Sequence, residues 1–308
     1  GPTPNVVAVR VDKTVWEGWW YEGCGINRHV WLLKRPWLHL ADDGVWVKPV
    51  KAEGRWRLEL EWTLENAGPD ALSCEVTAAP SSPDGAALPL LTLNAEVPAF
   101  STAVLHAQCP VDAPVLWDVD SPRLYTLLTT VRSSAGSDAV TTSFGLRETA
   151  FDVEKGFFLN GRPLKLFGVC GHQDHAGVGA AVPKDLWRYR LGLLKGMGCN
   201  AYRCSHNPPP PELLDLCDEM GLLAVDENRA FSTSREGLSL LRAMVRRDRN
   251  HPSVILYSLF NEEPMQGTAK GRRLAQRQRS EVRRLDDTRP CTGAFNAGMF
   301  ERDGAAAV

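Results

Sequence analysis

The sequence has none of the features that mark a membrane-spanning, nucleic-acid-binding or metal-dependent chain. No apolar run approaches the roughly 20 residues that span a bilayer. The charges nearly cancel, with 35 Lys and Arg against 37 Asp and Glu for a net of −2, so neither nucleic acid nor an anionic membrane is an expected partner. The opening GPTPNVVAVRVD reads as a strand and lacks the basic stretch and apolar core of a secretory signal. Eight cysteines are present (Cys24, Cys74, Cys109, Cys170, Cys199, Cys204, Cys217, Cys291), but they form no CxxC pair and no Cys/His ligand spacing. Reduced core thiols fit them, with a lean toward a reducing compartment. No glycine-rich phosphate loop follows any apolar run, which counts against a nucleotide-binding sheet. No metal and no cofactor are expected.

What is present is the material of two cores. The chain has 308 residues, above the roughly 100–200 of a single domain. Its 44% hydrophobic and 23% charged residues are an ordinary globular balance, and 10 Trp is high for this length. The grammar changes once, near Phe144. Before it, short segments alternate between apolar and polar residues, as in Arg55-Trp56-Arg57-Leu58-Glu59-Leu60-Glu61-Trp62 and much of Leu124 to Val131. Period two with frequent turns predicts antiparallel strands buried on one face. Residues 36–145 are read as one immunoglobulin-like β-sandwich, with Pro80–Gly85 as a turn inside it. Residues 1–35 read as the end of another β domain.

After Phe144 buried strands alternate with amphipathic helices. Strands are expected at Leu164–Cys170, Asn200–Cys204, Leu222–Asp226, Val254–Phe260 and Pro290–Phe295. Pro183 opens a helix with Leu186, Tyr189, Leu193, Leu194 and Met197 on one face, closed by Gly198. A second carries Leu213, Leu214, Cys217 and Met220 and stops at Gly221. A third carries Leu238, Leu241 and Val245, and Gly271–Leu285 is a solvated Arg-rich helix with a narrow apolar stripe. This pattern predicts a parallel sheet covered by helices. The successive strand ends are polar: His172-Gln173-Asp174-His175, Ser205-His206-Asn207, Asp226-Glu227-Asn228 and Asn261-Glu262-Glu263. That is what the mouth of a TIM (β/α)8 barrel requires, so residues 146–308 are read as the first part of such a barrel, with about five of its eight strands.

Glycoside hydrolysis needs two carboxyl groups, one of them kept protonated by its surroundings. Asn261-Glu262-Glu263 offers a carboxyl straight after a buried strand, where desolvation raises a Glu pKa. Chemistry alone leaves solvated loop residues as the better reading, and strand alternation does not choose between Glu262 and Glu263. Two long motifs change this. Asn200-Ala201-Tyr202-Arg203-Cys204-Ser205-His206-Asn207-Pro208, followed by Cys217-Asp218 and Gly221–Glu227, resembles the first signature of glycoside hydrolase family 2. Asp248-Arg249-Asn250-His251-Pro252 through Phe260-Asn261-Glu262 resembles the second. Gly18–Leu32 is similar to the end of that family's jelly-roll domain, and Phe144-Gly145-Leu146-Arg147 to the junction entering its barrel. The resemblance is strongest to the family's β-galactosidases.

The resemblance implies a retaining β-glycosidase for terminal non-reducing β-D-galactosides, with carbohydrate as its partner. Glu262 would be the general acid/base, and Asn261 would contact the hydroxyl beside the anomeric carbon. His206 would line the sugar site, and Arg203 would orient carboxylates, a structural role being an equal rival. His172 and Asp174 resemble the first barrel loop of the β-galactosidases; with His175 they offer no third spaced metal ligand. Asp226 and Glu227 are expected to hold the barrel mouth together. Tyr257 stands where the family has Trp and Asn207 where many members have Tyr, both taken as aromatic-wall or loop positions. The nucleophile is implied on a seventh strand past Val308, so the 308 residues alone are expected to be inactive. A β-glucuronide or β-mannoside substrate, and a non-catalytic carbohydrate-binding relic, remain open, as does homo-oligomerisation of the full-length enzyme.

Overall fold

The computed structural model describes residues 4–12 and 25–296. No strand forms among the described residues before Leu38. Their apolar side chains, Val6, Val7, Val9, Val30, Trp31 and Leu32 among them, are exposed. The jelly-roll similarity at Gly18–Leu32 falls in part on residues 18–24, outside the described residues.

From Leu38 the chain builds a sandwich of two antiparallel sheets. One contains β1 (Leu38–Ala52), β2 (Arg55–Asn66) and β5 (Ser101–Val111) in the order β1-β2-β5; the other contains β4 (Leu91–Val97), β3 (Leu72–Ser81), β6 (Tyr125–Ser133) and β7 (Gly136–Phe144) in the order β4-β3-β6-β7. Alternation decides which residues meet. Trp56, Leu58, Leu60, Trp62 and Leu64 of β2 face Val76, Tyr125, Leu127 and Val131 in one core. The Trp62 indole N–H, buried with them, is satisfied by Thr129 Oγ1 at 3.0 Å across the two sheets, as a buried donor must be.

A small antiparallel sheet that the sequence did not announce follows: β8 (Thr149–Asp152), β9 (Gly156–Leu159) and β10 (Arg162–Pro163). Its strands are two to four residues long, too short for periodicity to register. Phe157 and Leu159 from it join Trp117 and Val119, and together they cover Leu223 and Ile255 of the parallel sheet.

That parallel sheet runs β11 (Gly168–His172), β12 (Ala201–Ser205), β13 (Leu223–Glu227), β14 (Val254–Asn261), β15 (Cys291–Ala294) in sequence order. It is covered by α1 (Lys184–Gly196), α2 (Pro211–Met220), α3 (Arg235–Asp248) and α4 (Ala269–Leu285). The β-sandwich is therefore followed by a partial TIM barrel. α2 ends at Gly221, in the left-handed region at φ 70°, and α3 and α4 begin at Ser234 and Thr268, whose side chains accept from Gly237 N–H and Gly271 N–H.

Three expectations are corrected. The first barrel strand spans Gly168–His172 rather than 164–170; among the described residues it has β12 on one side only and is half-exposed. α1 turns a different face inward: Trp187 and Leu191 are buried, while Tyr189, Leu193 and Met197 are exposed. Over three turns both sets fit a helical stripe, and only the packing against β12 and α2 distinguishes them. Tyr257 is no wall of the sugar site. It is fully buried on the helix side, its hydroxyl donating to Asp286 Oδ2 at 2.9 Å. The seven cysteines described are free thiols, but Cys170 is exposed rather than in a core.

Candidate active site

In β12, β13 and β14 neighbouring side chains point to opposite faces of the sheet. Tyr202, Cys204, Ala224 and Tyr257 face the helices, which sends Arg203 and Glu227 to the inner face; Asn261, an even step from Tyr257, joins them across the register shift between Ser258 and Asn261 at the end of β14. Arg203 is the bracket between them. Its Nε and Nη2 donate to Glu227 Oε2 at 2.8 and 2.6 Å, its Nη2 donates to Asn261 Oδ1 at 2.7 Å, and its Nη1 donates to Cys170 Sγ at 3.4 Å. Burial disfavours the charge on Arg203, but Glu227 beside it prevails and raises the pKa. Glu227 is completely buried, and its other oxygen lies 2.8 Å from His206 Nδ1. His172, at the end of β11, meets His206 edge to face at 5.1 Å between ring centroids.

Five sequence-predicted residues thus converge in part: Arg203, His206, Asn261 and His172 form one cluster, joined by Glu227. Asp174 does not join it through its carboxylate. It is fixed by its backbone carbonyl, which accepts from Arg190 Nη1 at 2.9 Å, while Arg190 Nη2 reaches His172 O at 3.0 Å. Arg190, stacked over the Trp187 ring at 4.5 Å, therefore shapes the first barrel loop from α1; nothing in its sequence neighbourhood distinguished it from a solvated helix arginine.

Glu262 follows Asn261 at the end of β14. Its side chain is exposed and its backbone sits at φ 47°, a left-handed conformation that a residue with a Cβ adopts at a cost. The turn is held by Glu262 N–H donating to Ala294 O of β15 at 2.8 Å. Glu263 lies deeper, and burial raises its pKa, opposed by Arg229.

Asp226 points away from this cluster toward α3. It is fully buried with neither carboxyl oxygen hydrogen-bonded. Burial first and the neighbouring Asp248 second hold its pKa well above its ordinary value. Asp248 is gripped by Arg247 through two bonds of 2.6 and 2.7 Å. Of the Asp226–Glu227 pair, only Glu227 ties the barrel mouth together.

With this geometry in place, comparisons with known proteins fall on the same elements. A family model described as "Glycosyl hydrolases family 2" matches residues 38–147, and one described as "Glycosyl hydrolases family 2, TIM barrel domain" matches residues 151–301. The chain is 40% identical over 276 residues to Beta-galactosidase BoGH2A of Bacteroides ovatus, covering 84% of this chain and 32% of that protein. It is 34% identical over 279 residues to a putative β-glucuronidase of Formosa agariphila, covering 84% of this chain and 26% of that one. Among solved structures, a glycosyl hydrolase family 2 member from Bacteroides cellulosilyticus superposes with a TM-score of 0.87 at 30% identity, covering 96% of this chain and 41% of that chain. The chain thus spans about a quarter to a third of the length of these curated relatives.

Proposed function

The chain belongs to glycoside hydrolase family 2, and from that membership we propose that it is part of a retaining β-glycosidase acting on terminal β-D-galactosides, with Glu262 as general acid/base. The observation that carries this reading is the end of β14. There an exposed Glu262 is set on a left-handed turn beside an Asn261 whose carboxamide is clamped by Arg203. Glu262 protonates the leaving oxygen in the first step and takes a proton from water in the second. Asn261 donates its amide to the hydroxyl beside the anomeric carbon, a contact that tightens as positive charge develops there. His206 and His172 line the sugar, and Asp174 belongs to the loop that frames it. The covalent intermediate forms on a second carboxylate, placed by the family resemblance on a seventh strand past Val308. The galactoside assignment is supported by the relative from Bacteroides ovatus, a β-galactosidase by name, and by the His172–Gly179 loop. The glucuronidase names among the other relatives make the sugar the point to test.

In the complete enzyme, Glu262→Gln should slow substrates with poor leaving groups by roughly 10²–10⁴-fold, the scale of lost general acid catalysis. Aryl glycosides with acidic leaving groups should suffer less, and azide should restore turnover as the β-glycosyl azide. Equal damage to both substrate classes without azide rescue would remove Glu262 from the role. A panel of nitrophenyl glycosides settles the sugar: preference for the β-glucuronide or β-mannoside overturns the galactoside assignment and leaves the mechanism standing.

A further inference from the structure

At the hub of the cluster sits Glu227, a carboxylate with no exposure to solvent. Its hydrogen bonds leave little freedom to its neighbours. On one side Glu227 Oε1 lies 2.8 Å from His206 Nδ1, with the Arg203 Nη2 group 3.3 Å from the same nitrogen. On the other side, Glu227 Oε2 holds Arg203, and Arg203 Nη2 claims Asn261 Oδ1 at 2.7 Å. The carboxamide can then offer only its Nδ2 amide elsewhere.

We propose that Glu227 is a positioning residue that, acting through Arg203, sets the hydrogen-bond polarity of Asn261 in the sugar site, with the carboxamide oxygen taken up and a donor presented at Nδ2. A sugar hydroxyl can give and take a hydrogen bond, so a donor fixed through one buried group reads that hydroxyl in a single sense. The same carboxylate matches the guanidinium charge inside the wall, which suits an uncharged glycone. The inference rests on the glycosidase reading above and adds to it a residue that touches neither substrate nor reacting atoms.

The test is made in the complete enzyme, on whichever aryl glycoside it prefers. Glu227→Gln keeps the shape and removes the charge. It should lower kcat/KM by about 10²-fold, the scale of a misplaced contact group, through KM as well as kcat. The loss should be equal for acidic and poor leaving groups, unlike that of Glu262→Gln. Combined with Asn261→Ala, it should cost much less than the product of the two single losses, because both break one path. A folded Glu227→Gln enzyme within about twofold of the parent, or losses that multiply, would overturn the proposal. If Glu227→Gln does not fold, Arg203→Lys, which keeps the charge but lacks the fork, should show the same coupling to Asn261→Ala, and multiplying losses there overturn it equally. Leaving-group dependence absent from Glu262→Gln would sink the acid/base reading alone.

Discussion

In the sandwich the inward positions of β2 are Trp56, Leu58, Leu60, Trp62 and Leu64; in the parallel sheet the inward positions at the ends of β12, β13 and β14 are Arg203, Glu227 and Asn261. Alternation turns the first set, and Arg203 and Glu227 of the second, from bulk solvent; Asn261 reaches its place across the register shift at the end of β14. The sandwich gains from each residue independently, through apolar surface removed from water. The barrel mouth gains only if its members are present together, since a buried carboxylate without Arg203 and His206 would be an uncompensated charge. Along the barrel axis the two styles meet. Leu223, Ile255 and Ala201 at the lower end pack against Trp117 and Phe157, and the charged layer lies above them. The polar site stands on an apolar floor.

The sharpest way to break this contrast is at Trp62. Trp62→Ala should cost about 3–5 kcal/mol of stability, read by denaturant unfolding, while kcat per folded molecule of the complete enzyme stays unchanged. A changed kcat would show that the sandwich interior reaches the site. Next in size is Asp226→Asn. The folded pKa of Asp226 is raised, so the unfolded chain releases this proton more readily, and stability is lost as pH rises from about 4 toward the folded value. Asn carries no such proton, so Asp226→Asn should melt higher than the parent at pH 7, by about 2–4 °C for each kcal/mol recovered. The gain should vanish near pH 4; a lower melting temperature at pH 7 would mean that Asp226 is ionised and paired. The smallest effect concerns His251 at the seam, 2.6 Å from Asp218. Burial opposes its charge, but Asp218, with Asp248 and Asp215 beyond, prevails and raises its pKa. Its contribution is full below the ordinary His value of about 6.5 and is lost as pH rises through the folded value. Melting curves from pH 5 to 9 should show a decline in the parent that His251→Asn lacks; parallel curves would deny His251 that part.

Strands whose burial is decided by their own alternation, such as Arg55–Trp62, were legible in the sequence, and so were helices with caps and a single apolar stripe, such as α2. The motif around Asn261-Glu262 located the candidate acid/base where chemistry alone could not. What escaped depends on neighbours. The exposure of β11 follows from its edge position, the buried face of α1 from what lies beneath it, and β8–β10 from a floor that needs covering. Glu227 was placed at the mouth, but its partners are 24 residues upstream at Arg203 and 21 upstream at His206. One signal was available: Arg203 and Glu227 stand at inward positions near the ends of consecutive parallel strands, where opposite charges can meet.

Trp117 precedes β6 in the chain, yet it lies in the floor of the parallel sheet, with its indole N–H on Asp218 O at 2.9 Å and its backbone N–H on Leu146 O at 2.7 Å. Gly145 is wedged beside it; a Cβ there would stand 2.8 Å from Pro252 and 3.0 Å from Trp117. After laying Trp117 in the floor, the chain returns to the sandwich for β6 and β7 before it enters the barrel. No single crossover in a gene can therefore hand the barrel to a new partner with its floor intact. A recombinant cut at Gly145 would keep Phe157 and Leu159 over Leu223 and Ile255 but lose Trp117 and Val119 from the same cluster.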